Sequence, residues 1–186
     1  MKLYRTKIPT IAREIVDRLV EDGDIEILAA RREEAEKDLV AVMEEFIRRD
    51  NDFRNRVRDG MANRAIPYDQ YGSVRKKLAE EENHPAGDEI DRYLARQFIE
   101  NLMISPHVDE VFGEDEEIRR KIMIVLKSHD VDERAIREEA EAKVKNVREG
   151  TMEYEVALQH AMREVKKRRG LLDDRERNDR ERGDRS

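Results

Sequence analysis

Residues 11–27, IAREIVDRLVEDGDIEI, recur in altered form 83 positions later as LARQFIENLMISPHVDE, residues 94–110. In the first copy Ile11, Ile15, Val16, Leu19 and Val20 are spaced as one face of an α-helix, with Pro9 or Thr10 at its start and Gly23 after its end. The offset continues without a gap through later segments. Glu34, Leu39, Val42 and Met43 fall on Glu117, Ile122, Val125 and Leu126, then Phe53 falls on Ile136, Met61 on Val144 and Tyr71 on Tyr154. Any two amphipathic helices can be slid into register, but one offset kept across several elements points to a tandem duplication. Two copies are too few for a solenoid, in which three or more stacked repeats supply the core.

Composition narrows the fold class further. Of the 186 residues 45% are charged and only 38% hydrophobic, so most helical faces must be solvated and the apolar stripes narrow. Glu, Lys and Arg favour helices over strands, and the expectation is an all-α bundle of about eight helices in two related halves. The pattern places helices near 11–20 and 34–49, a third capped by Asp50 or Asp52 and carrying Phe53, Val57 and Met61, and a fourth through Tyr71, Val74 and Leu78. The second series covers 90–104, 115–127, 132–147 and 151–169. Between the first two helices, DGDIEIL can hold a scrap of strand.

The punctuation NHPAGDE, residues 83–89, divides the chain into a first helical unit, 1–86, and a second, 87–172, with Asp88 able to cap the helix that follows. From Asp173 the segment DDRERNDRERGDRS carries six acids, five arginines and no apolar side chain, so 173–186 is expected to be a disordered charged tail.

The phrases KLYRTKIPTIAREIVDRLVEDGDIEI, HPAGDEI and SPHVDEVFGEDEEIRRKI together resemble a bacterial family among the numbered domains of unknown function, the five-hundred-seventh. The resemblance covers roughly residues 1–171 and leaves out the charged tail. It implies a bacterial, cytoplasmic, mostly helical protein and carries no catalytic residues to transfer.

The net charge of −7 repels nucleic acid and acidic membranes at long range, so phosphate binding would need a local basic patch. There is no cysteine, which removes disulfides, thiolate metal sites and cysteine nucleophiles together. MKLYRTKIPT lacks the apolar run of a signal peptide, and no later stretch approaches a membrane span, so a soluble cytoplasmic protein is expected. His84, His107, His129 and His160 are scattered and read as surface or helix-end residues. The nearest ligand motif, Glu81-x-x-His84, occurs once where di-iron bundles use it twice, so neither a metal nor a cofactor is expected. Glu114 to Glu117 read as a helix start opposing the dipole, with Arg119, Arg120 and Lys121 one turn on to pair with them. No phosphate loop, nucleotide fingerprint or defensible Ser-His-Asp order is present, and the expectation is that the chain is not an enzyme and has no small-molecule substrate.

Two stretches stand out as binding candidates. REVKKRRG, residues 163–170, carries Arg163, Lys166, Lys167, Arg168 and Arg169 against Glu164, a local charge of +4. Either it contacts phosphates or it is the cationic last turn of a helix that stops at Gly170. Tyr4, Arg5 and Lys7 precede the first helix and either pack across a neighbouring helix or present an aromatic and cationic contact. The functional expectation is a non-enzymatic helical adaptor or accessory subunit that binds a protein partner or a second copy of itself. The alternative is an RNA- or ribonucleoprotein-associated protein acting through the basic run.

Overall fold

The computed structural model describes residues 2–148 and 151–172, so the charged tail lies outside the described residues. Among the described residues there are seven α-helices: α1 Ile8–Glu21, α2 Arg32–Asn63, α3 Tyr71–Glu81, α4 Glu89–Ile104, α5 Asp115–Ser128, α6 Glu133–Lys143 and α7 Met152–Arg168. One two-residue ribbon accompanies them, β1 Ile25–Glu26 against β2 Glu110–Val111, antiparallel, with Ile25 opposite Val111. The chain is all-α, and the scrap of strand expected in DGDIEIL is β1.

The count differs from eight because the second and third expected helices are one. Asp50 does not cap a new helix; it lies inside α2, buried. Nothing between Arg49 and Asp52 breaks the backbone, and Asp50 faces inward in the stripe Met43, Phe46, Asp50, Phe53, Val57, where its carboxylate is satisfied by tertiary partners. An acid with such partners need not turn back to its own backbone, so the helix runs on for 32 residues.

Several expected ends are found in place. Gly23 and Gly170 take the left-handed conformation, at φ 74° and 66°. At the first, the Asp24 amide reaches back to the Leu19 carbonyl at 2.8 Å, and at the second Leu171 reaches Lys166 at 2.9 Å, closing α1 and α7. Asp132 accepts from the Arg134 and Ala135 amides, and Thr151 from that of Tyr154, so α6 and α7 start on side-chain caps. Asp88 makes no such bond, because its own backbone is already helical and its carboxylate cannot swing onto the first-turn amides.

The described residues fall into two compact units, Ile8–His129 and, separately, Lys2–Lys7 with the chain from Asp130 onward. In the first, α1 packs on α2 and α5, and α4 packs on α2 and α5. Ile11, Ile15, Leu39, Met43, Leu94, Phe98, Ile122 and Leu126 are among the fully buried side chains there. The carboxyl half of α2 and α3 form a hairpin around Phe53, Val57, Met61 and Ala79. Residues 83–89 lie inside this unit and join α3 to α4, since α4 buries its stripe against α2 and α5. In the second unit α6 and α7 form a hairpin around Ile136, Ala140, Val144, Leu158, Ala161 and Val165, and Tyr4 is part of the same core.

Candidate functional site: a charged groove over a buried ionic cluster

A buried ionic cluster sits between α2, α3 and the strap that follows α3. Asp50 Oδ2 receives Arg54 from one turn on at 2.6 Å, while Oδ1 faces both Arg75 of α3 at 3.5 Å and His84 Nε2 at 3.2 Å. The His84 ring stacks on Phe53 with centroids 4.1 Å apart. Of the two expectations, surface or helix end, His84 meets the second, just past the end of α3, and its side chain is only 9% exposed. Asn83 just before it takes φ 51°, a left-handed turn that ends α3 and brings the histidine back over the hairpin.

Above this cluster an open groove of about 2110 Å³ runs between α3, α4 and the start of α5. Helices α3 and α4 contribute Arg75, Lys76, Arg92 and Arg96 together with Glu80 and Glu89, and Tyr71 and Tyr93 also line it. The start of α5 adds Glu114, Asp115, Glu116 and Glu117, followed by Arg119 and Arg120. Tyr93 is held by Arg49 of α2, whose guanidinium donates to its hydroxyl at 2.9 Å, and Arg96 lies over its ring. Lys76 and Arg92 are exposed in the groove lining. Of the three cations expected to pair with the acidic turn, Arg120 does so weakly with Glu117 at 4.0 Å. Lys121 instead turns away to Asp24 at 2.6 Å and Asp22 at 3.1 Å, and these two carboxylates hold its ammonium above the usual lysine range.

The basic run of α7 is largely neutralised within its own unit. Lys166 donates to Glu133 at 3.0 Å, Arg168 and Arg169 both engage Glu139, and Arg163 and Lys167 are exposed. Tyr4 packs into the hairpin core, and its hydroxyl donates to Glu133. Structure therefore brings Tyr4 and Lys166 together on one carboxylate, while Arg5 is exposed and Lys7 half-buried in the turn before α1.

Sequence reasoning missed Asp50, Arg54, Arg75 and His84, and one signal was legible. Asp50 interrupts an otherwise apolar i, i+3, i+4 stripe, and an acid at a core position calls for a buried cation. Among the described residues, one Ser-His-Asp set approaches hydrogen-bonding distance, and it is a loop clamp. Ser105 donates to Asp38 Oδ2 at 2.6 Å and His107 Nδ1 lies 3.0 Å from the same oxygen, so the serine is turned to the acid and not to the imidazole. Among the described residues no group of three or more His, Asp or Glu side chains is arranged to hold a metal ion, and no helix is long and apolar enough to cross a membrane.

A family model described as "Protein of unknown function (DUF507)" matches residues 1–171. The chain belongs to this family. No curated protein matches it. The match covers both compact units, so the groove and the Asp50 cluster lie within the span that defines membership.

Proposed function

We propose that this family member is a non-enzymatic adaptor or accessory subunit of the bacterial cytoplasm, built from two related helical units, which grips a polypeptide of mixed charge in the groove of its first compact unit. The observation that carries this reading is the groove itself. It is an open groove of about 2110 Å³, larger than the roughly 300–1,000 Å³ of small-molecule pockets, which favours an extended polypeptide over a small ligand. Its lining is of mixed charge throughout, with Glu80 and Glu89 among the cations of α3 and α4 and Arg119 and Arg120 after the acids of α5, and a polynucleotide entering along Arg92 and Arg96 would also meet Glu114 to Glu117. A polypeptide of mixed charge meets no such repulsion.

The duplication is supported by a correspondence beyond apolar spacing. Adding 83 to Asp50 gives Glu133, and each acid meets a ring from a segment that precedes a helix, the two rings standing 80 positions apart. His84 lies before α4 and meets Asp50; Tyr4 lies before α1 and meets Glu133. The hairpin residues correspond as well, Phe53 with Ile136, Val57 with Ala140 and Met61 with Val144. A fused pair of units offers a bivalent partner a gain in effective concentration.

The test is a pull-down with the tagged full chain from a bacterium that carries it, with and without nuclease, alongside Arg92→Glu/Arg96→Glu and a control, Arg163→Glu. A protein set that survives nuclease, is kept by the control and is lost with the groove variant is the expected result. A monomeric protein with no co-purifying partner overturns the proposal. Material that vanishes with nuclease and with Lys166, Lys167, Arg168 and Arg169 changed to Gln assigns the protein to RNA instead, with a steep salt dependence.

A further inference from the structure

Glu133, at the start of α6, is crowded. Its two carboxylate oxygens face three donors: the Tyr4 hydroxyl, Lys2 Nζ at 3.5 Å from Oε1 and Lys166 Nζ at 3.0 Å from Oε2. Both ammonium groups sit against the same Tyr4 ring, 5.2 and 5.7 Å from its centroid. One carboxylate cannot neutralise two cations, so the cluster holds a net charge of +1. The two lysines differ in access, since the Lys2 side chain is 41% exposed and that of Lys166 13%. An electrophile from solvent therefore reaches Lys2.

We propose that Lys2 is a site of Nε-acylation by a small acyl donor of the acyl phosphate class. In the step the neutral amine attacks the carbonyl carbon, a C–N bond forms, the bond from that carbon to the phosphate oxygen breaks, and phosphate leaves with the electron pair. The proton released by the amine passes to solvent, and no oxidant or reductant is needed. The product suits the cluster, because an amide at Lys2 carries no charge and leaves Lys166 and Glu133 paired one to one.

The groups facing Lys2 are Tyr4 of its own segment, Glu133 of α6 and Lys166 of α7. Burial first, and then the Lys166 cation, push the amine down to about 8, against the partial opposition of Glu133. At pH 8 about half of Lys2 is then neutral, compared with roughly one part in 250 for an ordinary lysine. Lower basicity costs intrinsic nucleophilicity, and with the slope of about 0.4–0.5 known for thiolates that removes roughly 15-fold. The remaining advantage is about eightfold.

The experiment is a time course of the intact protein with acetyl phosphate at pH 7 to 10, read by peptide mass spectrometry. Lys76 and Lys127, exposed on α3 and α5, serve as internal references. Lys2 is expected to react about eightfold faster than either at pH 8, with a rate that levels off above about pH 8. Equal rates at pH 8, or a Lys2 rate that keeps climbing to pH 10, overturn the proposal. Lys166→Met, checked for native helicity by circular dichroism, removes the neighbouring cation and is expected to move the Lys2 inflection to higher pH. An unmoved inflection also overturns it, because exposure alone would not respond to that change.

Discussion

Replacing Asp50 by Asn tests whether α2 is continuous because its central acid is neutralised from outside the helix. Were Asp50 a cap at a helix break, Asn would serve nearly as well, since the two residues cap with similar strength. In the structure Asp50 instead balances His84, Arg54 and Arg75. Losing its charge leaves His84 with a poorer partner at a site where its side chain is only 9% exposed, a cost of about 1–3 kcal/mol. The Arg54 and Arg75 side chains are 35% and 28% exposed and can turn partly to water, so each adds only about 0.2–1 kcal/mol. The sum is about 1.5–5 kcal/mol for Asp50→Asn. Asp50→Ala is expected in the same range, its lost acceptor being offset by about 0.5 kcal/mol of better helix propensity. The assay is urea unfolding followed by circular dichroism, with the Asp50→Asn/Arg75→Gln double variant closing a cycle. An Asp50→Asn protein within about 0.5 kcal/mol of wild type would refute the reasoning, as would zero coupling to Arg75.

Three further outcomes are expected. Gly113→Ala places a Cβ 2.8 Å from Asp24 Oδ1, 2.9 Å from Asp24 Cβ and 3.0 Å from Ile118, so it should displace the acid from Lys121 and cost about 1–3 kcal/mol in the urea midpoint. Tyr4→Phe keeps the ring in the hairpin core and removes only the donor to Glu133, for about 1 kcal/mol; Tyr4→Ala also empties the site and should cost about 3–5, both read as loss of amide-exchange protection in α6 and α7. Lys2 titrates lower folded than unfolded, so between about pH 8 and 10.5 the unfolded chain binds more protons and stability rises with pH. With the side chain as exposed as it is, the gain is screened to below about 1 kcal/mol, and Lys2→Met should abolish the slope difference between pH 8 and 10.5; a wild-type slope unchanged by the variant would count against the assignment.

Helix class and most helix ends were legible in the chain because they depend on local chemistry; of the ribbon only the strand near residue 25 was legible, its partner Glu110–Val111 being brought in by the fold. A 3.6-residue apolar period in a heavily charged background has one inexpensive solution, and Gly23, Gly170, Asp132 and Thr151 end or start helices through bonds reaching only a few residues away. The union of two expected helices into α2 was not legible by that route. Asp50 looks like a cap to any local rule, and the distant partners that make it a core residue, Arg75 and His84, lie 25 and 34 positions away.

The same distinction governs the candidate sites. A run of five basic residues is visible in sequence, but whether its charge is available depends on Glu133 and Glu139, which α6 brings against it. Tyr4 and Lys2 gain their meaning only when Glu133, about 130 positions later, closes on them. The groove is wholly a product of packing: Arg75, Arg92 and Glu116 lie on three helices whose order is set by the chain and whose spacing is set by the core beneath. By itself, then, the sequence determined what each segment becomes, since propensity, periodicity and capping act within a few residues. Tertiary structure decided which charges are neutralised and which are left to face a partner, because Coulomb pairing and burial depend on distances in space that no local spacing encodes.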